Sequence, residues 1–272
     1  MDISAEELAS LIYDKIEKNL TNLKAQFEQS NDVIKYFYLD DLLPIEIVQR
    51  IRKAFPDESD MMQKKSLREF KYIAAQMDRY DPILESAIYA FQDKRIIQLV
   101  EEIVGKTNLV ADEYLYAGGI SYMGEGNFLN PHLDNSHDRN RNLWRAFNLL
   151  YYVSPDWKLK DGGNLELWPE GPKAKQITIE SKFNRLVVMI THNESWHSVS
   201  KVNSSAGRCC VSNYYFCKNP MKDSDKFHVT SFRGRPEQPI RDALLNFDIT
   251  LRQGIRKIFK KGVVKNPHVY KK

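Results

Sequence analysis

Apolar residues recur at three- and four-residue steps over residues 4–28, with Leu8, Leu11, Ile12, Ile16, Leu20, Leu23 and Phe27 on one stripe behind a Ser4-x-x-Glu7 capping box. That period predicts an amphipathic helix. A short strand-like run, "VIKYFYL" (33–39), precedes "LPIEIVQRIRKAF", a second helix that begins near Pro44 and is ended by Pro56. A third helical region, "DPILESAIYAFQDKRIIQLVEEIVG", stops at Gly105. The first hundred residues are therefore expected to be mainly helical.

From about residue 109 the pattern changes to short aromatic and β-branched runs separated by turn residues: "YLYAGGISYM", "RAFNLLYYV", "NLELWP", "KQITI", "RLVVMI", "WHSVSKV" and "RCCVSNYYF". Seven runs at this spacing predict a sandwich or barrel of antiparallel strands. After Pro220 the chain turns polar, and "PIRDALLNFDITLRQGIRKIFKKG" returns to helical spacing. The expected organisation is a helical part over 1–108, a β core over 109–219 and a basic helical extension over 220–272. With no internal repeat and no low-complexity linker, the helices are expected to pack on one β core.

Composition narrows the class of protein. A chain of 272 residues with 42% hydrophobic content is large enough to build a core without staples. Three cysteines, Cys209, Cys210 and Cys217, do not form a disulfide framework in a chain of this length, which points to a reducing, cytoplasmic setting. The first fifteen residues are acidic where a secretory leader needs a basic start and an apolar run, and no stretch approaches the length of a membrane span. The formal charge of +4 is unevenly laid out, because residues 241–272 hold nine Lys/Arg against two Asp. Ile255, Ile258, Phe259, Val263 and Val264 lie there among Arg252, Arg256, Lys257, Lys260, Lys261 and Lys265. Such a basic amphipathic segment, 252–265, suits the inner surface of an anionic membrane; a packing helix with a solvated face is the alternative. Nucleic acid is the less expected partner.

"NPHLDNSHD" (130–138) packs two histidines and two aspartates into nine positions. A single His-x-Asp is a weak signal of metal binding, but His197 in "NESWHSVSKV" supplies a third donor 63 residues beyond Asp134. Two histidines and one carboxylate from separate strands form one face of ligands and leave the opposite positions open, as non-haem Fe(II) oxygenases require. For His197 alone, a hydrogen-bonded core histidine is as good a reading. Arg208, eleven residues beyond His197, adds a planar pair of donors matched to a carboxylate. Alternation places Arg208, Cys210 and Ser212 on one face.

These residues resemble a known family, the Fe(II)- and 2-oxoglutarate-dependent dioxygenases, in the prolyl-hydroxylase-like branch. The resemblance spans about 122–216 and lies in "YMGEGNFLNPHLDN", "LLYYVSPDW", "DGGNLELWPEG", "ITIESKFNRLVVM", "WHSV" and "GRCCVSNYYF". It implies an α+β protein with a double-stranded β-helix, or jelly-roll, core. It further implies His132, Asp134 and His197 as iron ligands and Arg208 as the grip on the distal carboxylate of 2-oxoglutarate. Tyr122 and Tyr152 match tyrosines of the co-substrate pocket, and Ser212 a pocket hydroxyl. The step from His197 to Arg208 is two residues longer than in similar members, which a longer turn absorbs. Arg145 matches a basic residue near the substrate entrance, although strict alternation sets it opposite Tyr152. His137 and His192 are alternative ligands outside the motif, while His228 and His268 read as surface or packing residues.

The implied chemistry is hydroxylation of an unactivated C–H bond with release of succinate and CO2, using Fe(II), 2-oxoglutarate and dioxygen, with ascorbate as a reductant. For the substrate, "FHVTSFRGRPEQPIRDALLNFDITLRQ" resembles the extension of bacterial dioxygenases of surface-glycan synthesis such as Kdo 3-hydroxylases. That likeness implies an acidic sugar of a glycolipid, Kdo of the lipopolysaccharide inner core; a prolyl peptide is the alternative. A non-catalytic jelly-roll binding module and a zinc hydrolase are rivals from other classes.

Overall fold

The computed structural model describes residues 3–258 and Tyr270. The first helical stripe forms two helices, α1 (Ala5–Lys18) and α2 (Leu20–Gln29), which part at Asn19. The Ser4–Glu7 capping box is formed as expected. Strand β1 (Tyr36–Asp40) and helix α3 (Ile45–Lys53) follow. The third helical region is likewise a pair, α4 (Pro82–Ala90) and α5 (Lys94–Val104), each capped by an aspartate, Asp81 and Asp93. Gly105, at φ 65°, closes α5 in the left-handed conformation that glycine adopts without strain.

Between α3 and α4 the chain forms a hairpin that the hydrophobic pattern did not predict, β2 (Met62–Lys65) and β3 (Glu69–Ala74). The core continues with β4 (Val110–Ala111), β5 (Gly119–Met123), β6 (Phe128–Leu133), β7 (Trp144–Tyr152) and β8 (Leu165–Leu167). It closes with β9 (Ile177–Ile179), β10 (Arg185–Ile190), β11 (His197–Val199), β12 (Arg208–Cys217) and β13 (Ser231–Phe232). Helix α6 (Pro239–Ile258) realises the predicted C-terminal helix. Part of the predicted basic segment, residues 259–265, and His268 lie outside the described residues. No helix of the described residues is long and apolar enough to cross a membrane.

The strands form one curled antiparallel sheet in the order β1-β10-β7-β12-β5-β3-β6-β11-β8-β9, the half-barrel of a jelly roll. Strand β3 pairs with both β5 and β6 and so joins the broad wall to the narrow one. The broad wall is buried on both faces. Phe147, Leu149 and Tyr151 of β7, Leu186 and Val188 of β10, and Cys209 and Val211 of β12 pack against the helices. Their neighbours Tyr152, Val187, Met189 and Cys210 fill the inside of the curl together with Leu165, Leu167 and Ile179. This is why "NLLYY" and "RLVVMI" read as continuous apolar runs rather than as alternating ones. The helices thus support a rigid wall whose inner face carries the polar site.

Two irregularities position that site. Pairing of His197 with His132 and of Val199 with Leu129 takes three residues on β6 for two on β11, an extra residue at the segment holding Pro131. Proline contributes no ladder N–H, and such interruptions are where it is tolerated in sheets. On β7, Phe216 pairs with Arg145 but Tyr215 pairs with Phe147, so Ala146 is the additional residue. From Ala146 onward the two ends of β7 are out of simple alternation.

Candidate metal centre and co-substrate pocket

His132 near the end of β6, Asp134 just after it and His197 at the start of β11 converge inside the curl, with one donor atom from each within 4.8 Å of the others. The pairing of His197 directly opposite His132 sets the two rings 4.1 Å apart. The imidazole Nε2 atoms approach the Asp134 oxygens at 3.7 and 3.6 Å. Each ring's Nδ1 lies against a backbone carbonyl, Asn130 O at 3.0 Å for His132 and Ser195 O at 2.9 Å for His197. A carbonyl only accepts, so Nδ1 carries the proton and donates, and both Nε2 lone pairs are directed at the carboxylate. This is the tautomer a metal ligand needs, fixed by the backbone.

The electrostatics point the same way. Burial, then the neighbouring His197, push the proton affinity of His132 down to about 3, and Lys71 adds to the effect while Asp134 opposes it. Burial alone would raise the Asp134 carboxyl, but the Arg145 guanidinium, with His197 and His132, holds it well below the ordinary carboxylate range. Two imidazoles whose Nε2 atoms face an ionised carboxylate form the donor set that suits a divalent transition metal with exchangeable positions. The residues therefore fit ferrous iron.

Arg145 Nη1 lies 3.1 Å from Asp134 Oδ2, and Asn148 Nδ2 donates to the same oxygen at 2.8 Å. The extra residue Ala146 turns Arg145 to the inner face with Asn148, Leu150 and Tyr152, so strict alternation, which set Arg145 opposite Tyr152, is corrected. The guanidinium stacks on Tyr214 at 4.5 Å and is itself buried. Sequence reasoning gave Arg145 to substrate; here it meets the ligand aspartate.

Above the triad, Arg208 of β12 projects into a cavity of about 470 Å³ lined also by Cys210, Ser212 and Tyr214. Arg208 is 3% exposed, yet no carboxylate lies within ion-pair distance of it among the described residues. Its contacts are Ser181 Oγ at 3.3 Å, the Met123 sulfur at 3.8 Å and the Tyr152 ring at 4.7 Å. The buried Tyr152 hydroxyl, close to Arg208 and Ser181, has no hydrogen bond of regular geometry. A buried cation and an unsatisfied hydroxyl side by side leave room for an organic carboxylate. Eight residues, 200–207, separate β11 from β12 and absorb the longer step to the arginine.

Tyr122 is not part of this cavity. On β5, Ser121 and Met123 face inward, and Tyr122 lies on the other face between Cys209 and Tyr72, with its ring 6.3 Å from that of Tyr72. Alternation along a regular strand decides this, and the expected pocket tyrosine is replaced by Met123. His137 stacks on Phe227, and His192 is satisfied on both nitrogens by Val33 O and the Glu194 N–H. Neither joins the triad, nor does His228.

Further supports escaped the sequence reading. Ser198, beside His197, donates to Glu166 at 2.6 Å, and Arg235 from the C-terminal part pairs with Glu166 at 2.7 Å. Trp168 Nε1 donates to the Ser198 hydroxyl at 2.8 Å. The alternation Leu165-Glu166-Leu167 placed a charge on a buried strand, which is a readable sign of a partner. Asn148 had a signal of the same kind, an amide within an apolar run.

Residues 118–216 match the model of the 2OG-Fe(II) oxygenase superfamily. Egl nine homolog 1 of Rattus norvegicus is 33% identical over 114 residues, which is 42% of this chain and 32% of that protein. The Homo sapiens protein of the same name is 33% identical over 114 residues, 42% of this chain and 25% of its own length. The chain thus spans a third or less of the length of these relatives. Among solved structures, a Pseudomonas putida prolyl-4-hydroxylase superposes with a TM-score of 0.54 at 14% identity, covering 74% of this chain and all of that one. A prolyl 4-hydroxylase from Phytophthora capsici gives 0.51 at 16% identity, covering 90% and 75%. The match to the 2OG-Fe(II) oxygenase superfamily thus spans residues 118–216, the part of the jelly roll that holds the His-Asp-His cluster.

Proposed function

We propose that this chain is an Fe(II)- and 2-oxoglutarate-dependent dioxygenase that hydroxylates an unactivated C–H bond and releases succinate and CO2. The observation that carries the reading is the triad of His132, Asp134 and His197, whose two Nε2 lone pairs and one carboxylate converge within 4.8 Å. Iron held there supplies the oxidative chemistry that couples decarboxylation of 2-oxoglutarate to hydroxylation. The chain's own part is orientation and exclusion. Carbonyls Asn130 O and Ser195 O hold the imidazoles in the binding tautomer. Arg145 and Asn148 fix the aspartate rotamer through its Oδ2. Arg208, with Tyr152 beside it and Ser212 on the same cavity wall, receives the distal carboxylate of 2-oxoglutarate, and the apolar floor of Leu165, Val187 and Met189 keeps water from that end.

Two substrate classes are drawn from resemblance. The likeness of the core to prolyl hydroxylases supports a proline-containing peptide. The looser likeness of the C-terminal part to Kdo 3-hydroxylases supports an acidic sugar such as Kdo on a lipopolysaccharide precursor, with peripheral contact at an anionic membrane. Incubation of the protein with Fe(II) and 2-oxoglutarate is the first test, with succinate expected from the wild type and none from Asp134→Ala. No succinate from the iron-loaded wild type, with or without a glycolipid or peptide, would leave a binding module as the better account.

A further inference from the structure

The hairpin β2–β3, absent from the sequence-based reading, forms one side of the cavity mouth. Its register pairs Lys64 directly with Lys71, and both line the cavity. Like charges directly opposite across two antiparallel strands repel and destabilise the pair. Two pairs along, on the same face, the register pairs Met62 with Ile73, so this face of the hairpin accepts apolar residues as well.

The acids nearby do not cancel the charge. Lys71 is paired with Glu69 at 3.0 Å. Asp248 of α6 is engaged by Arg68 and also lies 3.8 Å from Arg252, both of which line the same mouth. Among the described residues no carboxylate lies within 4.0 Å of Lys64. Four cations therefore meet two carboxylates at this rim.

The row is continuous with the co-substrate site. Arg208 pairs with Met123 on β5, and in β3, the next strand, Lys71 follows in the same rank one residue before Tyr72, which pairs with Tyr122. Lys64 stands beyond it. One inward rank across four strands thus reads arginine, methionine, lysine, lysine. Met123, whose sulfur touches Arg208, separates an inner cation site from an outer one.

We propose that Lys64 and Lys71 form a second anion site at the cavity mouth, which holds a carboxylate or phosphate group of the substrate while the inner arginine holds 2-oxoglutarate. The inference rests on the dioxygenase reading and adds the charge class of the substrate to it. A peptide lacking acidic groups would leave the net positive charge of this rim uncompensated, whereas an anionic group reaching both Lys64 and Lys71 adds a charge-assisted hydrogen bond to each.

The test uses the full chain with Mn(II) in place of iron and 2-oxoglutarate at saturation, so that Arg208 is occupied. Inorganic phosphate and gluconate are titrated separately by calorimetry at low salt into the wild type, Lys64→Gln, Lys71→Gln and the double variant. The expected result is roughly tenfold weaker binding of at least one probe in each single variant and no detectable binding in the double variant, where a tenfold loss corresponds to about 1.4 kcal/mol. The probe that binds tells phosphate from carboxylate recognition. A second readout guards against misfolding: phosphate or gluconate raises the melting temperature of the wild type and leaves that of the folded double variant unmoved. Binding of equal strength in all four proteins, or no binding to the wild type, overturns the proposal. So does a parallel loss of 2-oxoglutarate affinity in Lys71→Gln, which would assign the lysine to the co-substrate. Succinate release by the iron-loaded wild type without substrate reports on the dioxygenase reading alone, so the two failures are separable.

Discussion

Removal of both charges from the buried pair Asp134–Arg145 should cost less than the two single removals combined. The two side chains are 14% and 5% exposed, and their 3.1 Å contact is reinforced by Asn148 on the carboxylate and Tyr214 beneath the guanidinium. In a chelator-treated protein, Asp134→Asn keeps the volume but leaves a buried guanidinium with no counter-charge, and truncating one partner of such a pair costs about 3–5 kcal/mol. Arg145→Met leaves the mirror problem, a buried carboxylate without its guanidinium partner. The double variant has neither orphan charge, so its loss should fall short of the two single losses combined by about 2 kcal/mol or more. Urea unfolding of the four proteins in EDTA at pH 7 measures this coupling. Adding Mn(II) extends the test, because a cation bound by Asp134 and the histidines would serve Arg145→Met as the missing counter-charge and stabilise it more than the wild type. A coupling below about 0.5 kcal/mol, the range of independent sites, would refute the reasoning.

Two further outcomes are expected. Tyr152→Phe should weaken apparent 2-oxoglutarate affinity several-fold while Tyr122→Phe leaves it near the wild-type value, as judged by KM for 2-oxoglutarate in succinate release; the reverse order would show Tyr122 turned inward. In chelator, stability should decline as pH falls below about 6.5. His132, held near 3 in the fold, stays neutral while the unfolded chain takes up a proton, with a limiting slope of about 1.4 kcal/mol per pH unit for one group. Urea midpoints between pH 7.5 and 5 should show a shallower slope for His132→Gln, and an unchanged slope would place the linkage elsewhere.

The triad was legible because its members keep an order and spacing that no other set of residues in the chain shares, and order survives whatever the strands do between them. The facing of individual side chains was less legible. Arg145 was set on the wrong face because one additional residue, Ala146, is invisible to a rule of strict alternation. Tyr122 was set in the pocket by a spacing carried from the resemblance, while regular alternation on β5 turns Met123 inward instead. Strand β6, which holds His132, is not among the seven apolar runs, since Asn130, Pro131 and His132 interrupt its apolar pattern, and the proline sits where the ladder is irregular. The β2–β3 hairpin is polar, with Gln63, Lys64 and Lys65 in its first strand, and has too little apolar pattern to stand out. The break between α1 and α2 at Asn19 was hidden because the apolar stripe continues through it.

The extra residues near Pro131 and at Ala146 make this centre depend on counting as much as on chemistry. A substitution at either position alters a local fit, but loss of one residue from β6 or β7 would rotate the rest of that strand by half a turn. His132 would then exchange its place with a neighbour, or Arg145 would swing toward the helices. These two strands should accept changes of letter more readily than changes of length, and the shortest deletion there should be more damaging than many larger edits in the loops.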